Sequence, residues 1–517
     1  MDRNTLFAVI LSTVFLVFWW TFFQPKPAPK QSVVVTQPAA LESAKARSDK
    51  AVEAKPVNTS GGKEVVFETK NYRAVFTTKG AAVKEWWIKG KEVKPVNLAL
   101  TAESSFLSTF PELNFSVSRR GSDVIIFEAV TSKGLRVRKT YTLSDDFLNT
   151  LDIDISGKSS EAFTLALGPG MGTDEKELKE NEGQMRALTL SAGSDNKSEL
   201  QALKPGEYPT DDLKWASIDN RYFLSSVILR DDNDFDSILV RKASKKAPPE
   251  ILLSKKNPSN ERISLQFYLG PKGYSALKTY KLGLEEAVDF GIFGFLGKMA
   301  LAALVFFHKL TGNYGWAIIL LTLALQILVY PLSLKSFKAT AAMKKVQPKM
   351  KAIQEKYKSD PKRMNIEVMN LYKAEGVNPL GGCLPMILQL PIFWALFTTL
   401  RNAYELRGAP WVLWIHDLSV ADRFFSDLLH LPFTVGLLPI LMGLGMLVQQ
   451  KMSSATSDPT QAMMMYMMPL VFMFMFMGFP AGLVLYWLVN SIMTMIEMYF
   501  IMHRPEQKAK RAAARTA

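Results

Sequence analysis

Polar and apolar positions alternate along this chain in three ways, and each predicts a different kind of structure. Residues 4–23 are uncharged and end in Trp19, Trp20, Phe22 and Phe23, which predicts a membrane anchor with its aromatic end at the interface. No small-x-small site follows directly, so the anchor reads as retained rather than cleaved. Residues 24–63, rich in Pro, Ala, Lys and Ser, cannot bury enough apolar surface to fold and read as a flexible linker. From 64 to 280 the period is two. Runs such as Tyr72-Arg73-Ala74-Val75-Phe76, Val124-Ile125-Ile126-Phe127 and Ile263-Ser264-Leu265-Gln266-Phe267-Tyr268, punctuated by Gly, Asn and Asp, predict one mainly antiparallel β-sandwich domain.

Beyond the β domain the period lengthens. In 284–310, Ile292, Phe295, Leu296, Met299, Ala303, Phe306 and Leu310 share a face while Lys298, His308 and Lys309 supply polarity. That pattern predicts an amphipathic helix lying in the interface, with a further span as the alternative. Apolar stretches at 316–334, 383–402, 431–449, 462–478 and 482–502 then follow, and with the anchor they make six transmembrane helices. At 1.5 Å per residue a stretch of this length matches the ~30 Å hydrocarbon layer. Between them lie a helical hairpin at 335–376, loops at 403–430 and 450–461, and a basic tail at 503–517. The predicted fold class is a polytopic α-helical membrane protein with an inserted all-β domain and a cytosolic helical hairpin.

In the hairpin, Met343, Val346, Met350, Ile353 and Tyr357 recur at a 3-4-3-4 spacing, and Met364, Val368 and Leu371 give the return arm a matching stripe. Lysines crowd its first arm, and Arg504, Lys508, Lys510, Arg511 and Arg515 follow the last span. The positive-inside rule puts both in the cytosol. Six spans then place the N-terminus there as well and the β domain on the other side of the inner membrane. Lys344, Lys345, Lys349 and Lys351 with Arg504, Lys508, Lys510 and Arg511 are the candidate surface for anionic lipid heads or ribosomal RNA, without sequence-specific nucleic-acid recognition.

Composition narrows the chemistry. A formal charge of +14 is accounted for by a cationic cytosolic face, one cysteine (Cys383) excludes an intramolecular disulfide framework, and four scattered histidines offer no metal cluster. The acidic residues of the β domain form no credible glycosidase pair. Gly168-Pro169-Gly170-Met171-Gly172 has no anion-binding helix pattern behind it and reads as a connection. No catalytic residue, metal or cofactor is expected.

The informative positions are polar residues inside spans: Gln326, Gln389, Asn490 and Ser491. Their sequence positions suggest a shared inner-leaflet level. An amide in hydrocarbon needs a partner, so they either hydrogen-bond between helices or line a wetted recess. Phe393, Phe397, Met468 and Phe472 give the third and fifth spans soft and aromatic surfaces that adapt to varied partners, and with Tyr486 and Trp487 of the last span they become candidate substrate contacts under the family resemblance given next.

Several separated motifs carry a family resemblance: Tyr330-Pro331-Leu332, Leu371-Tyr372-Lys373, Asn378-Pro379-Leu380-Gly381-Gly382-Cys383, Gln389-Leu390-Pro391-Ile392-Phe393, Trp414-Ile415-His416-Asp417-Leu418 and Phe479-Pro480-Ala481-Gly482-Leu483-Val484-Leu485-Tyr486-Trp487. In this order they resemble the YidC/Oxa/Alb family of membrane protein insertases, in its Gram-negative form with a large periplasmic domain. The resemblance implies a β-supersandwich for that domain and a five-helix core enclosing a groove open to cytosol and lipid. It implies nascent inner-membrane proteins, the Sec translocon, the ribosome, the signal recognition particle or its receptor, and phospholipids as partners. One departure stands out. The family groove typically carries an arginine where this chain has Gln326, so attraction of acidic segments by charge is not expected here, and Glu497 makes the local potential less positive still. A transporter, which needs inverted repeats not visible here, and a membrane-anchored periplasmic carbohydrate-binding or carbohydrate-modifying protein are the alternative readings.

Overall fold

The computed structural model describes residues 62–89, 96–97, 106–158, 162–168, 185–193, 198–230, 235–242, 247–378, 384–453 and 459–516. The anchor expected at 4–23, all but the end of the linker at 24–63, and most of the glycine-rich 168–172 connection lie outside the described residues.

Period-two alternation becomes three antiparallel sheets around a shared apolar core. The largest has nine strands, in the spatial order Ser198–Leu203, Arg186–Ala192, Leu213–Asp219, Phe223–Leu229, Ser259–Pro271, Leu148–Lys158, Arg136–Thr142, Val124–Val130 and Ser116–Arg120. Four-stranded sheets on Glu64–Glu68 to Val96–Asn97 and on Phe163–Ala166, Gly206–Pro209, Ser237–Lys242 and Pro249–Lys255 complete the domain. Trp86 stacks on Tyr72 with ring centroids 4.1 Å apart. Lys139, fully buried, donates to the carbonyls of Ala81 and Leu107, and burial pushes its ammonium well below the usual lysine range.

Phe223–Leu229 does not alternate; every residue is buried. Phe223, Val227 and Leu229 face the β core, whereas Leu224 and Ile228 belong to a second cluster that continues into the helices through Leu277, Leu301, Leu304, Ala317 and Leu400. A strand covered on both faces needs no polar positions. The sheet is thus continuous, through apolar contact, with the bundle.

The helices are α1 (Tyr274–Thr279), α2 (Gly294–Thr311), α3 (Tyr314–Lys356), α4 (Pro361–Ala374), α5 (Leu384–Asn402), α6 (Phe424–Leu429), α7 (Leu437–Ser453), α8 (Pro459–Phe476) and α9 (Ala481–Thr516). Among the described residues α2, α3 and α9 are long and apolar enough to cross a membrane. The stretch 284–310 is not one helix: a short 3-10 turn, Leu284–Ala287, precedes α2. In α2 the expected apolar face, from Phe295 through Met299 and Phe306 to Leu310, points away from the protein, while Leu301 and Leu304 pack inward. Gly297 lets α2 approach α5, since a Cβ there would lie 2.9 Å from Thr399 Oγ1.

Asn313 starts α3 by accepting from the amides of Gly315 and Trp316 while its own amide donates to the Pro410 carbonyl at 3.1 Å. Gly315 is required at that start, because a Cβ would lie 2.0 Å from the Trp411 indole. The helix runs through Pro331 and Pro348 without a break, so the apolar stretch and the hairpin's first arm are one rod of 43 residues. Asp360 caps α4, accepting from the Arg363 amide at 3.0 Å, with Pro361 in its first turn. The helix within the expected 431–449 stretch begins only at Leu437, because the segment before it is pinned by Ser426, whose hydroxyl oxygen accepts from the Val435 amide at 2.6 Å. The Asp422 carboxylate then accepts from the Leu438 amide at 2.7 Å. α7 also runs on to Ser453, into the expected 450–461 loop, and the expected 403–430 loop contains α6.

Charge joins the β domain to the C-terminal end of α5. Arg221 donates from Nε to the Arg401 carbonyl at 2.8 Å, an acceptor that the end of α5 leaves open, and from Nη2 to the loop carbonyl of Ser419 at 3.4 Å. Nearby, the buried Asp219 carboxylate accepts from Arg186 at 2.7 Å and Lys272 at 2.8 Å, and Arg186 reaches Asp289 at 3.3 Å. Asn402 at the end of α5 closes the junction by donating to the Asp289 carbonyl at 3.1 Å. Replacing Arg221 by Ala removes charge-assisted bonds from two part-buried carbonyls. The expected result in thermal unfolding of the detergent-solubilised protein is a loss of about 1–3 kcal/mol, with a far smaller change for the exposed Arg120→Ala.

Candidate functional site

Helix α9 carries a stripe of polar groups. Tyr486, Asn490, Thr494 and Glu497 recur at i, i+4, i+8 and i+11, a spacing that lays them along one face of a 3.6-residue helix. Gln326 on α3 donates from Nε2 to Thr494 Oγ1 at 3.2 Å, and that hydroxyl donates on to the Asn490 carbonyl at 2.8 Å. Gln389 on α5 donates to the Tyr486 hydroxyl at 2.9 Å. Ser491, beside the stripe, is buried next to Gly445 of α7.

This geometry brings Gln326 to the Asn490 level but does not bring the two glutamines together. Their partners on α9 are eight residues apart, about 12 Å along the axis, so the amides are tied at two depths of one helix rather than at one level. Gln326, Gln389 and Asn490 are each only partly buried. Sequence reasoning missed Thr494. Its signal was there, because four polar residues at i, i+4, i+8 and i+11 in an apolar span form a face.

The turn that starts α9 is held from outside. The Ala481 amide donates to the Val420 carbonyl at 2.7 Å and Gly482 to the Leu418 carbonyl at 2.9 Å, so the 414–418 and 479–487 motifs meet. Gly482 fits because a Cβ there would sit 3.2 Å from both Ile318 and the Leu418 carbonyl.

Beside the stripe stands an aromatic wall. Trp487 lies 5.0 Å from Phe393, 5.9 Å from Phe472 and 5.3 Å from Phe476, while Phe397 lies 5.9 Å from Phe393 and 5.6 Å from Phe479. Phe393, Phe397 and Phe472 are partly buried and thus already in mutual contact through this cluster; Met468 is outside it and exposed on the surface of α8.

The lysines of the hairpin divide. Lys344 turns inward and donates to the Met452 carbonyl near the end of α7, where helix carbonyls lack partners. Lys349 pairs with Glu375 at 2.5 Å and ties the two arms. Lys345 and Lys351 stand exposed. Val346 and Met350 are the buried knobs of the predicted stripe, and the Tyr372 hydroxyl donates to Met350 Sδ at 3.1 Å. The side chains of Arg504, Lys508, Lys510 and Arg511 lie outside the described residues, although the α9 backbone continues to Thr516. No group of metal-ligating side chains occurs among the described residues.

Residues 64–302 match the family model described as YidC periplasmic domain, and residues 306–509 match the one described as 60Kd inner membrane protein. A membrane protein insertase YidC of Endomicrobium trichonymphae is 47% identical over 517 residues, covering 98% of each chain. The corresponding protein of Pelobacter propionicus is 34% identical, covering 97% of this chain and 99% of its own. A crystal structure of an active YidC insertase with its first transmembrane domain resolved aligns over 86% of this chain and 95% of its own, at 19% identity and a TM-score of 0.42.

Gln326 separates a packed bundle from a wetted one. Leucine removes every donor and acceptor, whereas arginine keeps donors and can extend toward cytosolic water. In a wetted stripe, Gln326→Leu impairs function more than Gln326→Arg, by about tenfold if the full hydrogen-bonding difference of roughly 1.4 kcal/mol is felt. Complementation of a depletion strain at matched membrane abundance reads the order; in a dry bundle arginine, as a buried unpaired charge, is the worse change.

Proposed function

The chain belongs to the YidC family of membrane protein insertases, and from that premise we propose that it receives nascent hydrophobic segments along the polar face of α9, releases them laterally into the inner membrane and assists their folding, alone or with the Sec translocon. The observation that carries this reading is identity over the full length with YidC insertases, 47% with that of Endomicrobium trichonymphae, with both the β domain and the helical region included. The arrangement of polar and apolar groups supports it. A polar stripe gives the hydrophilic flank of a client somewhere to wait, and the aromatic wall gives its apolar part a surface next to lipid.

In this reading six spans cross the membrane, with both termini in the cytosol. Five of them, α3, α5, α7, α8 and α9, form the core; the β domain is a periplasmic supersandwich; and 284–310 lies in the outer interface. The outward apolar face of α2, joined to partly exposed Lys298, supports the interfacial placement. The ribosome, the signal recognition particle or its receptor and anionic lipid are met at the cytosolic face, where the α3–α4 hairpin presents Lys345 and Lys351. No bond is made or broken in insertion. Its driving force is partition of apolar surface into lipid, at roughly 25 cal/mol per Å², which is ample for one helix.

The reading is tested by depleting the host insertase and supplying this chain at matched abundance. A newly made inner-membrane client should regain cleavage of its extracytoplasmic segment by protease added outside; no recovery contradicts the reading. The hairpin generates a second expectation. Lys345→Glu with Lys351→Glu should weaken cosedimentation with ribosome–nascent-chain complexes at low salt, with the difference vanishing at high salt, because exposed charges act through a screened field. Binding unchanged at both salts would leave these lysines a topology signal alone.

A further inference from the structure

The apolar stretches 316–334, 384–400, 437–450, 463–478 and 482–501 contain a single Asp, Glu, Lys or Arg, namely Glu497. It stands three residues beyond Thr494, roughly 5 Å nearer the cytosol, on the face of α9 that Gln326 meets. Its Oε2 is sealed from solvent and takes no hydrogen bond among the described residues. An ionisable group in such a place is costly to keep unless something binds it. The other polar groups of the stripe are committed differently: Thr494 accepts from Gln326, and Tyr486 accepts from Gln389. Glu497 alone combines a formal charge with an acceptor atom not already in use.

We infer that Glu497 sets the charge preference of the stripe, which favours clients whose translocated segment carries Lys, Arg or neutral hydrogen-bond donors over clients whose segment carries Asp or Glu. This rests on the insertase reading above and names the substrate class of that same site. A carboxylate attracts a cationic segment and repels an anionic one, and neutral Gln326 supplies no opposing charge. A basic segment leaves the cytosol against an inside-negative potential. An acceptor toward the cytosolic end of the stripe holds it where little of that potential has been crossed.

The test uses full-length protein in liposomes and one single-span client whose short translocated tail carries three Lys, three Asp or three Ser. The readout is the ratio of Lys-tail to Asp-tail insertion. Glu497→Gln should lower this ratio about fivefold, as expected for one partly solvated charge; Glu497→Asp should restore most of it; and Glu497→Lys should invert it. If the ratio is the same in all four proteins while the wild type inserts the Ser-tail client better than empty liposomes, the charge assignment is overturned and the insertase reading stands. Equal loss of all three clients in Glu497→Gln also leaves the ratio unchanged and makes Glu497 a packing residue, again overturning the assignment. A wild type no better than empty liposomes with any tail removes the insertase reading itself.

Discussion

A side-chain amide in hydrocarbon must find a partner, at a cost of several kcal/mol if it does not. Gln326 and Gln389 obey that constraint on the same helix, and α9 therefore fixes the rotation of both α3 and α5. The third neighbour, α7, meets α9 through a small residue instead, with Gly445 beside Ser491 and Met495. Close approach substitutes for a hydrogen bond there, as is common where no solvent drives helices together. The N-terminal end of α9 is held by the backbone acceptors of Leu418 and Val420, so the loop after α5 is part of the bundle's frame.

This frame separates two environments. Along α9 the polar groups run from Tyr486 to Glu497, and next to them the rings around Trp487 present an adaptable apolar wall. Ile327 and Leu328, 75% and 73% exposed on the other side of α3, face outward, as do Val471 and Phe474 on α8. Polar and apolar surfaces therefore lie a few ångströms apart, which is the arrangement a segment needs when its ends and its middle prefer different solvents. The β domain is fastened to the same frame through Arg221 and the apolar cluster reaching Leu224 and Ile228.

Most elements were legible because their signals are local. Period-two runs marked the strands, uncharged stretches marked the helices, and the 3-4-3-4 pattern marked the hairpin, where Val346 and Met350 are the buried positions. What was not legible depended on helix rotation and on partners distant in sequence. Residue depth alone suggested that Gln326 and Gln389 share a level, but their partners are Thr494 and Tyr486, about two turns apart on α9. Lys344 looked like its lysine neighbours, yet it reaches the carbonyl of Met452, a contact set by where α7 ends. The late start of α7 had no apolar signature either, because it follows from the Ser426 and Asp422 hydrogen bonds. The Trp414–Leu418 and Phe479–Trp487 motifs were visible as separate strings, and their purpose became clear only in contact.

In the proposed reading, water from the cytosol reaches the polar face of α9. Single cysteines in a Cys383→Ser background at 326, 490 and 389, with 327 and 328 as lipid-facing controls, can be exposed to a membrane-impermeant thiol reagent on the cytosolic side. A wetted face gives graded reaction at the three stripe positions, fastest at 326 and 490 and slowest at 389, whose partner on α9 lies about 12 Å further out than that of 326, with no reaction at the controls. Protection of all three in a folded protein, or equal reaction at 327 and 328, would contradict it.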